Sequence, residues 1–192
     1  MSVILVTGMP GAGKTTLVRK LSEELRNHGH VVGGFFTEEV RDRLTGERSG
    51  FDIVTFSGQR APLARVDAKR TTNSPQVGRY TVCLAEFEAL ALPAMERQPH
   101  GRELLIVDEV GKMELKSRPF SERMEAIVKE LAAGNGRLIA TVPLKATGVG
   151  VIDRLQRIPG RQLFHVQPSN REQIYGDILD AAMLCASKSR RT

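Results

Sequence analysis

VILVTGMPGAGKTT, residues 3–16, is the stretch on which the fold turns. Val3 to Thr7 is an apolar run of the length and composition of a strand buried on both faces. Leu17, Leu21 and Leu25 follow at helical spacing. The loop between them carries Gly8, Gly11 and Gly13 and ends on Lys14-Thr15-Thr16. A strand that turns through glycines into a helix start aims backbone N–H groups and the positive end of the helix dipole at one point, and anions bind there.

Gly8-Met9-Pro10-Gly11-Ala12-Gly13-Lys14-Thr15 matches G-x-x-x-x-G-K-[ST] at every position. The glycines let the backbone curl around phosphate oxygens. Lys14 would supply a cation to the β- and γ-phosphates, and the Thr15 hydroxyl would coordinate the Mg²⁺ that accompanies them. A merely flexible glycine turn requires neither the Lys, nor the Thr, nor the spacing. Gly8 to Thr16 are read as nucleotide-binding, with Lys14 also catalytic.

A second constellation is Glu103-Leu104-Leu105-Ile106-Val107-Asp108-Glu109, an apolar strand with two carboxylates at its C-terminal end, where open α/β sheets bind ligands. Asp108 would hold Mg²⁺, mostly through water. Glu109 is the candidate to orient and deprotonate the attacking water. The simpler reading is a strand that ends in surface acids. A glutamate poised to activate water favours hydrolysis over transfer to an acceptor. Asp108-Glu109-Val110-Gly111 also spells the D-x-x-G of GTPases, but no Asn-Lys-x-Asp follows to select guanine. Lys112 could stabilise transition-state charge or pair with Glu109 or Glu114. Thr141 could bond the γ-phosphate or the water, or cap its strand. Ser169-Asn170-Arg171 could border the base or cap the last helix.

The chain has 192 residues, 41% apolar and 26% charged, which suits an ordinary folded domain rather than a disordered or fibrous chain. Its formal charge is +6, of which Lys188, Arg190 and Arg191 supply half. This end is read as a solvated tail, residues 188–192; contact with nucleic acid or another polyanion is the alternative. Cys83 and Cys185 form no Cys-x-x-Cys pair and the four histidines no i, i+4 pair, so neither a disulfide framework nor zinc is expected. The N-terminus lacks the basic and apolar regions of a signal peptide, and no apolar run approaches the roughly 18 residues of a membrane span. A cytoplasmic monomer is expected.

Strand and helix patterns alternate. Strands are expected over 3–7, 31–39, 50–57, 80–84, 103–108, 137–142 and 162–166. Helices are expected over 14–27, 84–97, 120–133, 149–156 and 170–186. The polar, glycine-containing segment 43–48 predicts a hairpin turn and hence an antiparallel insert. Residues 58–77, with Arg60, Arg65, Lys69 and Arg70 against Asp67, read as an irregular basic loop, either a solvated connection or a lid whose arginines reach phosphates. The economical architecture is one three-layer α/β domain over 1–187 with a mainly parallel sheet.

With these residues in hand, the chain resembles the cancer-related nucleoside triphosphatase family, through "VTGMPGAGKTTL", "GGFFTEEVR", "GFDIVTFSGQRAPLARV", "VGRYTVCLAEFEALALP", "VDEVGKMEL" and "PSNR". The resemblance implies Mg²⁺-dependent hydrolysis of several nucleoside triphosphates on a P-loop fold of the additional-strand branch. It also implies nucleotide contacts at Gly8 to Thr15 and along Glu103, Leu104, Leu105, Ile106, Val107, Asp108, Glu109 and Val110. It assigns no role to "GFFTEEVR", where Glu38, Glu39 and Arg41 could line the site or brace the hairpin. The alternatives are a nucleotide or small-molecule kinase, and a switch that binds nucleic acid or protein and uses NTP to change shape.

Overall fold

The computed structural model describes residues 3–66, 74–96, 103–145, 148 and 150–187. The expected elements appear in order, with β4 and β5 in addition: β1 (Val3–Gly8), α1 (Lys14–Asn27), β2 (Val32–Arg41), β3 (Arg48–Thr55), β4 (Arg60–Arg65), β5 (Gln76–Val77), β6 (Tyr80–Val82) and α2 (Leu84–Ala94). Then come β7 (Leu104–Val107), α3 (Arg118–Ala132), β8 (Leu138–Pro143), α4 (Gly150–Arg157), β9 (Gln162–His165) and α5 (Arg171–Ser187). The described strands form one sheet, ordered β5-β6-β4-β3-β2-β7-β8-β1-β9. Pairing is parallel from β2 through β9 and antiparallel from β2 out to β5. β8 separates the strand before the phosphate loop from the strand that ends in carboxylates, which is the additional strand the resemblance implies.

Strand alternation sorts the core into two layers. Val3 and Leu5 of β1, with Leu105 and Val107 of β7, pack under α2, α3 and α4. Ile4, Val6, Leu104 and Ile106 point the other way, against α1 and α5. Strands covered on both faces have no polar side, which is why β1 and β7 are apolar at nearly every position. Phe35, Phe87 and Phe120 meet beneath the sheet with ring centroids 5.4–6.3 Å apart, joining β2, α2 and α3. Ser117 caps α3 by accepting from the Phe120 N–H at 3.1 Å, while its own hydroxyl donates to Glu88 of α2 at 2.7 Å.

The antiparallel insert is present: β2 and β3 form its hairpin, and β4, β6 and β5 extend it outward. One expectation needs correction. Part of the expected basic loop is strand β4, whose Arg60 and Arg65 are engaged in ion pairs on the sheet. Pro62 hid this strand. It falls where a bulge shifts the β3–β4 register and where β4 pairs only with β3, positions at which a missing N–H is tolerated. Asp67, Lys69 and Arg70 of that loop, and the tail 188–192, lie outside the described residues. No described helix is long and apolar enough to cross a membrane.

Because Phe120 is fully buried in the aromatic cluster, Phe120→Ala is expected to lower unfolding free energy by about 3–5 kcal/mol. Leu44→Ala, at a hairpin tip where Leu44 is 95% exposed, is expected to stay within about 0.5 kcal/mol. Urea denaturation followed by circular dichroism checks both.

Candidate active site

The parallel strands end together, and their C-terminal edge carries the site. β1 runs into the phosphate loop and α1 begins at Lys14, with Gly13 at the helix N-cap in the left-handed region at φ 96°. A side chain at Gly13 would be strained there and would meet the Arg171 Cδ at 2.9 Å, so the start of α5 leans on the loop. Lys14 is 9% exposed and folds back over the loop, its Nζ donating to the Gly8 carbonyl at 3.1 Å and the Met9 carbonyl at 3.3 Å.

Asp108 sits just past the end of β7, 1% exposed. Its backbone N–H donates to the Phe35 carbonyl of β2 at 3.1 Å. Thr141, one position beyond the β7–β8 register, donates its hydroxyl to Asp108 Oδ1 at 2.6 Å. The Thr37 N–H and hydroxyl lie 3.4 Å from Oδ2, and the Thr15 hydroxyl also bonds this carboxyl. Burial pushes the Asp108 carboxyl above its ordinary range, opposed by bonds from Thr141, Thr15 and Thr37 and by the Lys14 charge. Glu109 is raised by burial and by Asp108, and lowered by Lys14.

A cavity of ≈600 Å³ opens over these groups, lined by Pro10, Gly11, Gly13, Lys14, Thr15 and Thr16 on one side and by Glu109 at its base. The far wall is the β2–β3 hairpin. β2 pairs with β7 only over Val32–Phe35, then continues as far as Arg41 against β3. Six further residues at about 3.3 Å each carry the hairpin roughly 20 Å past the sheet edge. It contributes Thr37, Glu38, Glu39, Arg48 and Phe51 to the cavity, and Arg19 joins from α1. Glu38 pairs with Arg19 at 3.0 Å and with Arg60; Glu39 pairs with Arg48 at 2.6 Å and with Arg41. The "TEEVR" segment therefore both lines the site and braces the hairpin.

The stretch from Glu103 to Val110 is not brought together as the resemblance implied. Leu104 to Val107 and Val110 are core side chains, and Glu103 stands at the opposite end of β7, against Gly33 and a different cavity. Only Asp108 and Glu109 of that stretch reach the phosphate-loop edge. Of the loop, Gly8 and Met9 offer carbonyls to Lys14 and Ala12 is buried under α1. Thr141 neither caps its strand nor faces the cavity; it holds Asp108. Lys112 forms no ion pair with Glu109 or Glu114 among the described residues and lines an adjoining cavity. Asn170 braces its own turn, its side chain accepting from the Gln167 N–H at 2.8 Å and donating to the His165 carbonyl at 3.0 Å.

A buried acid that the motifs did not single out lies behind Glu109. Glu114 is 4% exposed and accepts from the Gly111 N–H at 3.1 Å. A Cβ on Gly111 would lie 3.0 Å from Glu114 Oε2 and 3.1 Å from Glu109 Oε1, so glycine leaves room for two carboxyl groups. Burial, then the Glu109 charge, raise Glu114 to about 8.

The groups at Asp108 able to ligate a cation are oxygens: its own carboxylate and the hydroxyls of Thr15 and Thr37. That chemistry suits a hard divalent cation held partly by water and substrate phosphates. It does not make an all-protein cage, and the described residues contain no cluster of three or more His, Cys, Asp or Glu able to hold a metal.

The geometry agrees with what the chain matches. A family model described as "NTPase" covers residues 3–179. The chain belongs to this nucleoside-triphosphatase family. It is 36% identical over 195 residues to the human cancer-related nucleoside-triphosphatase, covering 98% of each chain. The crystal structure of THEP1 from the hyperthermophile Aquifex aeolicus superposes with a TM-score of 0.78 at 36% identity, over 93% of this chain and 98% of that one. The solution structure of a human cancer-related nucleoside triphosphatase gives the same TM-score over 98% and 100%. Family membership makes the chain a hydrolase of nucleoside triphosphates.

Glu114 supplies a pH test. Between its ordinary value of 4.5 and about 8 the folded state keeps a proton that the unfolded state has released. Stability must therefore fall as pH rises through that window. Glu114→Gln removes this dependence. The two proteins are expected to match near pH 4.5, and the variant to be more stable by a few kcal/mol at pH 8. Urea midpoints measured across this range check it.

Proposed function

We propose that the chain is a Mg²⁺-dependent phosphohydrolase with low base specificity, converting ATP, GTP and other nucleoside triphosphates to diphosphate and phosphate. The observation that carries this reading is the convergence of Lys14, Thr15 and Glu109 on one cavity, with Asp108 buried beneath it. Lys14 leaves the loop carbonyls for the β- and γ-phosphates, and the loop amides bind the remaining oxygens. Thr15 and Asp108 would hold the Mg²⁺, which when bound would supply positive charge against the phosphates. Glu109 orients the water and takes its proton; burial lifts its basicity toward the range a general base needs. The polar loop and charged hairpin frame the phosphates. No Asn-Lys-x-Asp follows Asp108 in the sequence to select guanine, which supports broad base acceptance.

A second reading draws on the adjoining cavity of ≈270 Å³, which shares Thr37, Phe51 and Glu109 with the first and is otherwise walled by groups such as Leu63, Val77 and Met113. A small alcohol seated there would place its hydroxyl at Glu109 and divert the phosphoryl group from water. It predicts phosphoester formation at the expense of free phosphate when small alcohols are added, visible by ³¹P NMR.

The decisive assay is phosphate release from ATP, GTP, CTP and UTP, with Mg²⁺ and with excess EDTA. All four are expected to be hydrolysed and EDTA to abolish turnover. Glu109→Gln is expected to retain nucleotide binding while turnover falls by about 100-fold or more. Lys14→Ala is expected to weaken binding itself. Turnover unchanged in Glu109→Gln would remove Glu109 from the base role.

A further inference from the structure

We propose that Arg48, delivered by the β2–β3 hairpin, is a catalytic arginine that contacts the γ-phosphate from the wall facing the phosphate loop. The inference rests on the nucleotide-hydrolysis reading of this cavity and adds a group which that reading does not contain.

Position comes first. Arg48 lines the same cavity as Lys14, Thr15 and Glu109. Of the other arginines nearby, Arg60 and Arg65 do not line it. They lie on the side of the hairpin facing α1, where Arg60 bonds Asp52 and Glu38 and Arg65 bonds Asp52. Arg19 does line it, but its guanidinium is stacked 5.0 Å from the Phe36 ring centroid and paired with Glu38. It also lies five residues into α1, about 7 Å farther along the axis from the loop than Lys14. Among the described residues, Arg48 is the hairpin arginine that lines this cavity.

Preorganisation comes second. The hairpin holds its shape through its own contacts. Asp42 Oδ1 accepts the Leu44 and Thr45 N–H groups at 2.9 and 2.8 Å, and Arg41 donates to the Gly46 carbonyl at 3.0 Å. The Arg48 carbonyl accepts from the Arg79 side chain. The Arg48 guanidinium carbon lies 5.4 Å from the Phe51 ring centroid. An arginine fixed on a prefolded wall needs no second protein to deliver it.

Charge comes third. Arg48 bonds Glu39 at 2.6 Å, and Glu39 is also bonded by Arg41, so two guanidinium groups share one carboxylate. Arg48 is therefore not the sole counter-ion of Glu39, and part of its charge is free to meet a triphosphate. A guanidinium has five donors on a planar fork, so Arg48 can keep one edge on Glu39 and turn another to phosphate oxygens. As Glu109 takes the water proton, the water oxygen bonds to Pγ and the bond from Pγ to the bridging oxygen breaks. The electron pair leaves with the diphosphate. Negative charge spread over the equatorial and bridging oxygens is what Arg48 stabilises.

The test compares wild type, Arg48→Ala, Arg48→Lys and Glu109→Gln. It measures kcat and KM for ATP, and ADP binding with and without aluminium fluoride, a mimic of the transferring phosphoryl group. In Arg48→Ala, kcat is expected to fall on the order of a thousandfold, while ADP affinity stays within about threefold. The tight ADP–aluminium fluoride complex should be lost. Arg48→Lys keeps the charge and stem and guards against a folding defect. It is expected to recover little, since an ammonium cannot fork between Glu39 and phosphate. Added guanidinium should partly rescue Arg48→Ala. The proposal is overturned if Arg48→Ala or Arg48→Lys retains kcat near wild type. It is equally overturned if ADP affinity falls as far as kcat does, which would make Arg48 a binding or wall residue. A wild type without turnover, or a fully active Glu109→Gln, would instead overturn the hydrolytic reading. Active wild type with inactive Glu109→Gln and unimpaired Arg48→Ala removes the arginine alone.

Discussion

A carboxylate at the edge of an aliphatic sheet, almost sealed from water, is the constraint on which the rest depends. Asp108 is costly to ionise where it lies, and the fold meets that cost with donors from β8, α1 and β2. Thr141 reaches it because β8 lies between β7 and β1 in parallel register. Thr15 reaches it because β1, on the far side of β8, turns directly into α1. Thr37 reaches it because β2 runs on past the end of β7. A change in strand order would strip at least one of these donors away. The additional strand is thus more than a topological label: it carries the strongest hydrogen bond the acid receives, at 2.6 Å.

The hairpin wall answers a different requirement. Its exposed ion pairs contribute little to stability, each on the order of 0–1 kcal/mol. Their value is directional. Glu38 ties the wall to α1 through Arg19 and to β4 through Arg60, and Asp52 ties β3 to β4 through Arg60 and Arg65. A wall held on one side by this network can present Glu39 and Arg48 to the cavity at a fixed height above the phosphate loop. β4, which the sequence disguised as loop, is what makes the wall stiff.

What was legible in the sequence was what is local. Gly13, Lys14 and Thr15 act within one turn of backbone, and the apolar run before Asp108-Glu109 announces a buried strand. Alternation of strand and helix patterns then yields three layers. Features that depend on register were not legible. Nothing along the chain says that Thr141 bonds Asp108, that Glu114 folds back to Gly111 beside Glu109, or that Arg48 lines the same cavity as Lys14. β4 was obscured because Pro62 and a bulge break its pattern, although both are allowed at a position paired on one side. Glu103 was grouped with the carboxylates at the other end of its own strand because a family motif marks a stretch of chain. The pleat buries Leu104 to Val107 and leaves Glu109 at the far end to line the cavity, with Asp108 buried beside it.

The two glutamates near Gly111 also bear on how Glu109 can serve as a base. A carboxylate base works best when its proton affinity approaches that of the surrounding medium, and burial, helped by the Asp108 charge, moves Glu109 in that direction. Lys14 opposes this while its ammonium rests on the Gly8 and Met9 carbonyls, because its charge is then uncompensated by any anion other than the two acids. Phosphate oxygens would neutralise that charge and so remove the restraint on Glu109. Glu114, protonated near neutral pH, adds no charge of its own beside Glu109, yet would add one as the pH rises past 8. The basicity of Glu109 is therefore set by burial and by two charged neighbours, a lysine whose charge the substrate cancels and the carboxylate of Asp108, while Glu114 stays silent over the neutral range.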